Sequence, residues 1–114
     1  MKAVFLGALS AAVFAHSANA QQGGMTLDAE NLLTICTTAH PDAVGFCNGF
    51  MQAAHDWPSD DNLRVCAPSG TTRTQLAMLY EQQAPMLFAQ YEDTARQPAI
   101  IIARIILAGA FPCN

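Results

Sequence analysis

Four cysteines in a chain of 114 residues constrain the fold more than any other feature: Cys36, Cys47, Cys66 and Cys113. An even number in a short chain reads as a disulfide framework when the compartment is oxidising. The N-terminus points to such a compartment. Lys2 precedes an almost wholly apolar run, Ala3 to Ala15, and Ala18-Asn19-Ala20 has the small-x-small form of a signal-peptidase site. Residues 1–20 are therefore expected to be a cleaved export signal, residues 21–25 a disordered leader, and residues 26–114 one small helical domain. The alternative, a retained membrane anchor, is disfavoured because the run is shorter than the ~20 residues a spanning helix needs. All four cysteines fall in the exported part, so the expected location is the periplasm, or the medium if the chain is secreted. No pair has C-x-x-C spacing, which leaves a thioredoxin-like site or a zinc knuckle without support. Cys113 is followed by Asn114 alone and so forms no prenylation box.

Charge narrows the partners. Without Lys2, four basic residues (Arg64, Arg73, Arg96, Arg104) stand against nine acidic ones, a net charge of −5. A nucleic-acid binder needs a basic stripe for phosphates, and an anionic membrane surface attracts the same stripe. Neither partner is expected of the mature chain. A basic protein partner suits this charge, although mild acidity also serves solubility.

Periodicity divides the mature chain into four helices. Thr26 is placed to cap the first, with Asp28 and Glu30 near its positive end and Leu32, Leu33 and Cys36 on a narrow apolar face up to about Thr38. His40-Pro41 breaks it and opens the second, with proline at the first helical position. There Val44, Cys47, Met51 and Ala54 form one stripe and Phe46, Phe50 and Trp57 an adjacent one. So broad a face predicts a central, well-buried helix. Ser59–Gly70 reads as a loop, with a short extended piece at Leu63–Cys66. Thr72 and Gln75 have capping-box spacing for a third helix that runs to Pro85, with Met86–Tyr91 adding a separate turn or two. Pro98 opens the last helix, which is apolar nearly all round. Ala99, Ile102, Ala103, Ile106, Leu107 and Ala110 make one face, widened by Ile101 and Ile105. Its length and Arg104 at its middle argue against a membrane span. The fold class is all-α: a small four-helix domain, up-and-down, stapled by disulfides. The last helix, being apolar all round, belongs to the core or to a homodimer contact.

Antiparallel packing predicts which cysteines meet. The end of the last helix lies beside the start of the third, which favours Cys66–Cys113. Cys36 near the end of the first helix and Cys47 early in the second favour Cys36–Cys47. The second choice is Cys36–Cys113 with Cys47–Cys66.

Catalytic and metal sites find little support. His40 precedes Pro41 in a turn and reads as a cap or a solvent-facing side chain. His55 and Asp56 are neighbours, and neighbouring helix residues do not face each other. Met51 and His55 are an i,i+4 pair, two soft ligands without a third. Ser59, Ser69 and the threonines have no assignable base for a hydrolase triad. Asp60-Asp61 and Glu92-Asp93 lack the further oxygen ligands of a calcium loop. Trp57, Tyr80 and Tyr91 are interface candidates whose default is core packing. No cofactor, metal or enzymatic activity is expected.

One ordered series of motifs rises above composition: FCNGF (46–50), VCAPSGTT (65–72) followed by QLAMLYEQQAP (75–85), and AFPC (110–113). Together they resemble the Rap1a/Tai family of type VI secretion immunity proteins. Cys47, Gly49, Phe50, Cys66, Pro68, Gly70, Pro112 and Cys113 carry the resemblance as framework residues. Phe50 stands where tyrosine is common, and Ala53 where a glycine is frequent. The resemblance implies a small helical periplasmic protein, often dimeric, whose partner is a secreted amidase-type effector and whose role is to block its peptidoglycan-cleaving site. It assigns no toxin-binding residue. Gly49 is expected to permit close helix packing, and Gly70 to sit in a turn before the Thr72 cap. Two other classes fit composition alone: an acid-stress chaperone of the HdeA type, whose nine carboxylates would be neutralised at low pH, and an unassigned helical binding module.

Overall fold

The computed structural model describes residues 26–58 and 63–114. The expected signal (1–20) and leader (21–25) lie outside the described residues, as do Ser59, Asp60 and Asp61. Among the described residues four α-helices follow in order: α1 (Ala29–Cys36), α2 (Pro41–Asp56), α3 (Arg73–Gln90) and α4 (Ala99–Ala110), with a 3-10 turn, Glu92–Arg96, between the last two. The domain is all-α, and every helix touches the other three.

Side chains set most boundaries. Asp28, rather than Thr26, caps α1: its Oδ1 accepts from the Asn31 N–H at 2.7 Å. An aspartate accepts as a charged group and also favours the positive end of the helix dipole. At α2 the His40 Nδ1 accepts from the Asp42 N–H at 3.2 Å, and Pro41 follows in the first turn. At α3 the capping box closes both ways: Gln75 N–H donates to Thr72 Oγ1 at 3.1 Å, and Thr72 N–H donates to Gln75 Oε1 at 2.8 Å. Gly70, with φ +91°, makes the turn just before it, where Thr71 N–H donates to Pro68 O at 3.1 Å. That left-handed backbone region is strained for residues with a Cβ.

Pro85 does not end the third helix, which continues through Met86 to Gln90. The proline is exposed, so the Glu81 carbonyl that loses its i+4 donor lies on the same, solvent-facing side. Ala84 on one side of it is buried, while Leu87 and Phe88 pack against the core. Tertiary packing thus carries the helix across a local defect. Leu63–Cys66 forms no ladder; Cys66 N–H donates to Phe111 O at 2.8 Å, and Leu63 O accepts from Arg104.

The core draws on all four helices. Ala29, Leu32 and Cys36 come from α1; Cys47, Met51 and Ala54 from α2; Leu76, Ala77, Tyr80 and Ala84 from α3; and Ala99, Ile102, Ala103, Ile106 and Leu107 from α4. Tyr80 is fully buried and its hydroxyl donates to Ala29 O at 2.6 Å. Burial, and then the charge of Asp28, push its phenol well above the usual tyrosine range. The start of α1 is also sewn to the start of α4, by Ala29 N–H to Gln97 O at 2.9 Å and Ala99 N–H to Leu27 O at 2.8 Å.

The second helix is less buried than its broad apolar face predicts. Cys47, Met51 and Ala54 are covered, but Val44, Phe46 and Trp57 are about half exposed. Three neighbouring helices leave one side of α2 open, and Phe46 there stacks on half-buried Phe50 with ring centroids 6.1 Å apart. Gly49 also lies on the open side. A Cβ built there meets nothing within 4 Å, so close helix packing is not its role within the monomer. Core packing, the default for the three aromatics, holds for Tyr80 and fails for Trp57 and Tyr91. Both exposed residues are C-caps, where the chain leaves its helix and the side chain loses the packed face.

Candidate functional site

The last helix organises the molecule around a charge. Arg104 is 5% exposed, at the middle of an otherwise apolar helix. Its Nη1 donates to Ala54 O at 2.8 Å and Trp57 O at 3.1 Å, and its Nη2 to Leu63 O at 2.6 Å. Two of these carbonyls lie at the C-terminal end of α2, where the helix dipole is negative and backbone acceptors run out of intrahelical donors. The third, that of Leu63, lies six residues after Trp57. One guanidinium therefore fixes both ends of the α2 exit. Its fork of donors suits it to this task, which a single lysine ammonium could not match in geometry. The Nε is buried without a partner. Sequence reasoning used Arg104 to reject a membrane span and missed this role. The available signal was a lone charge on a helix that must be buried, since such a charge has to be hydrogen-bonded.

Facing outward, the same helix carries Ile101, Ile105 and Gly109 at four-residue spacing. Ile101 is 44% exposed and Ile105 39%. Grooves run along either side of this ridge and share Ile105 and Gly109. One, of about 390 Å³, lies against α3 and is lined by Gln83, Met86, Leu87 and Gln90. The other, of about 530 Å³, lies against Leu63 and Arg64 and the tail from Pro112 to Asn114. Met86, 65% exposed, is an unbranched and adaptable contact beside the ridge. Neutral glutamines and one arginine line the grooves, so the acidic excess of the chain does not concentrate here. An apolar ridge between two shallow grooves suits contact with a protein surface; it holds no arrangement of acid, base and nucleophile.

The framework residues scatter around this surface. The structure joins Cys36 to Cys47 and Cys66 to Cys113, each with Cα atoms 5.1 Å apart. Pro112 lines the second groove, Pro68 and Gly70 lie in the turn before α3, and Gly49 and Phe50 lie on α2 away from the ridge. His55 and Asp56 do meet, with Nδ1 and Oδ1 2.8 Å apart, although they are sequence neighbours. Asp56 is the last residue of α2, where the imidazole can reach sideways to it. Gln52 Nε2 donates to both oxygens of the same carboxylate at 3.0 and 3.1 Å. These hydrogen bonds, that of His55 first, hold the Asp56 carboxyl below its usual range. The pair is at the surface, and Gln52 is its further polar partner among the described residues. Among the described residues no group of three or more His, Cys, Asp or Glu side chains could hold a metal ion, and no helix is long and apolar enough to cross a membrane.

With that geometry in view, the comparison with known families is specific. The family model described as Rap1a immunity proteins matches residues 28–113, from the cap of α1 to the last cysteine. Among curated proteins and among solved structures, nothing matches the chain.

Proposed function

The chain belongs to the Rap1a immunity protein family, and from that premise we propose that it is a periplasmic immunity protein that binds a type VI secreted peptidoglycan amidase and blocks its active site. The observation that carries this reading is a family match spanning nearly the whole helical domain. The proposed export signal at residues 1–20, the paired cysteines and the exposed apolar ridge support it. On this reading the protein is not an enzyme and needs no cofactor: it works by occupying a surface of its partner.

The ridge on α4 is the contact we nominate for the effector. Ile105→Asp places a charge at its centre, on a side chain already partly in water. Binding should weaken at least tenfold by calorimetry or biolayer interferometry, with the thermal midpoint little changed. Unaltered affinity would remove the ridge from the contact. Homodimerisation is a second reading, favoured by the same exposed face on a helix apolar nearly all round. Light scattering at micromolar concentration separates the two. A dimeric mass that falls to monomer in Ile105→Asp would assign the ridge to a second copy of the chain.

A further inference from the structure

The two disulfides occupy different environments. Cys36–Cys47 lies in the core, with its residues 6% and 1% exposed. Cys66–Cys113 lies at the surface: Cys66 is exposed, Cys113 is half-buried, and Cys113 lines the larger groove with Leu63, Arg64 and Pro112. Thiol–disulfide exchange requires the attacking thiolate to reach a sulfur, so access selects which bridge opens.

The consequences of opening differ as well. The buried core residues all come from the helices, while Val65 before α3 and Phe111 after α4 are partly buried and pack against them. The four helices are held by that core, by Cys36–Cys47 and by the Arg104 clamp on Ala54, Trp57 and Leu63. Beyond the Cys66–Cys113 bridge, the tail is tied to the 63–66 segment by the Cys66 N–H to Phe111 O bond.

We infer that Cys66–Cys113 is an exchangeable latch on the C-terminal tail, whereas Cys36–Cys47 is a permanent structural bridge. The thiolate of a dithiol reductant attacks the Cys66 sulfur. A mixed disulfide forms there, the bond to Cys113 breaks, and Cys113 leaves as a thiolate in the groove that Arg64 also lines. The second thiol of the reductant then displaces Cys66. Two electrons enter the protein, the reductant departs as its disulfide, and protons from solvent complete the two thiols. The groove of about 530 Å³ between Leu63–Arg64 and Pro112–Asn114 loses its covalent tie while the helical core stays intact. In the reduced protein the hydrogen bond from Cys66 N–H to Phe111 O is left to hold its walls together.

The test is timed reduction of the oxidised protein with dithiothreitol, quenched by N-ethylmaleimide and mapped by peptide mass spectrometry, with far-UV circular dichroism in parallel. A species alkylated at Cys66 and Cys113 alone should accumulate, formed at least tenfold faster than alkylation of Cys36 and Cys47, with helical ellipticity retained. The Cys66→Ser/Cys113→Ser double variant should be helical and keep Cys36–Cys47 closed. Opening of Cys36–Cys47 first, both bridges opening in one step, or loss of helix with the first bridge would each overturn the inference.

Discussion

Arg104 and Tyr80 are the residues through which distant parts of the chain are fixed, and each makes a separable prediction. Arg104 gives three charge-assisted hydrogen bonds, to the carbonyls of Ala54, Trp57 and Leu63. Arg104→Met keeps the apolar stem and removes the donors. It should cost about 3 kcal/mol, because the buried Ala54 carbonyl and the part-buried Trp57 and Leu63 carbonyls lose a charged donor. Urea unfolding measures this, and a loss below about 1 kcal/mol would mean that water replaces the guanidinium freely. Tyr80 is a pH probe. Its folded phenol holds its proton to a higher pH than the unfolded phenol, which ionises near 10.0. The stability it contributes is complete below that value and declines as pH rises beyond it, because the unfolded state then binds fewer protons. The urea midpoint of the wild type should therefore fall above about pH 10. In Tyr80→Phe that decline should flatten, with a loss of about 1 kcal/mol at neutral pH from the missing bond to Ala29. Equal alkaline slopes in the two proteins would contradict the account.

At the scale of elements, local chemistry was legible where a cap or a proline stands at a boundary. Pro41 after His40 opens α2, and the Thr72–Gln75 pair opens α3, since both signals act within one turn and need no tertiary partner. Thr72→Ala should cost about 1 kcal/mol in thermal or chemical unfolding; a change of a few tenths would mean that Gln75 and water cap the helix without it. Signals that depend on the rest of the molecule were not legible. Pro85 carries a local stop, yet Ala84, Leu87 and Phe88 dock on the core and hold the helix past it. Thr26 is a good cap by type, but the chain turns at Asp28 because Leu27 and Ala99 are hydrogen-bonded there. The 3-10 turn at Glu92–Arg96 follows from how α3 must reach α4, and its charged sequence has no helical period to betray it.

For the molecule as a whole, the number of helices and their common core could be read from periodicity, while the choice of exposed apolar residues could not. Val44, Phe46, Trp57, Ile101 and Ile105 are apolar by type, yet three of the seven apolar residues read onto the second helix and the outer edge of α4 face water. Burial depends on how many neighbours a helix gains, and hydrophobic residues are common on protein surfaces. The candidate contact surface was foreshadowed by an α4 that is apolar nearly all round, but its grooves depend on side chains from α3 and the tail that no pattern aligns. The proposed function is that this disulfide-tied bundle neutralises a cell-wall amidase. The most direct measurement titrates the oxidised mature protein into peptidoglycan digestion by the type VI amidases encoded nearby or by rival strains. The account predicts that digestion by one of them stops at a one-to-one ratio. Undiminished digestion by every such amidase, with the immunity protein folded and in micromolar excess, would contradict it.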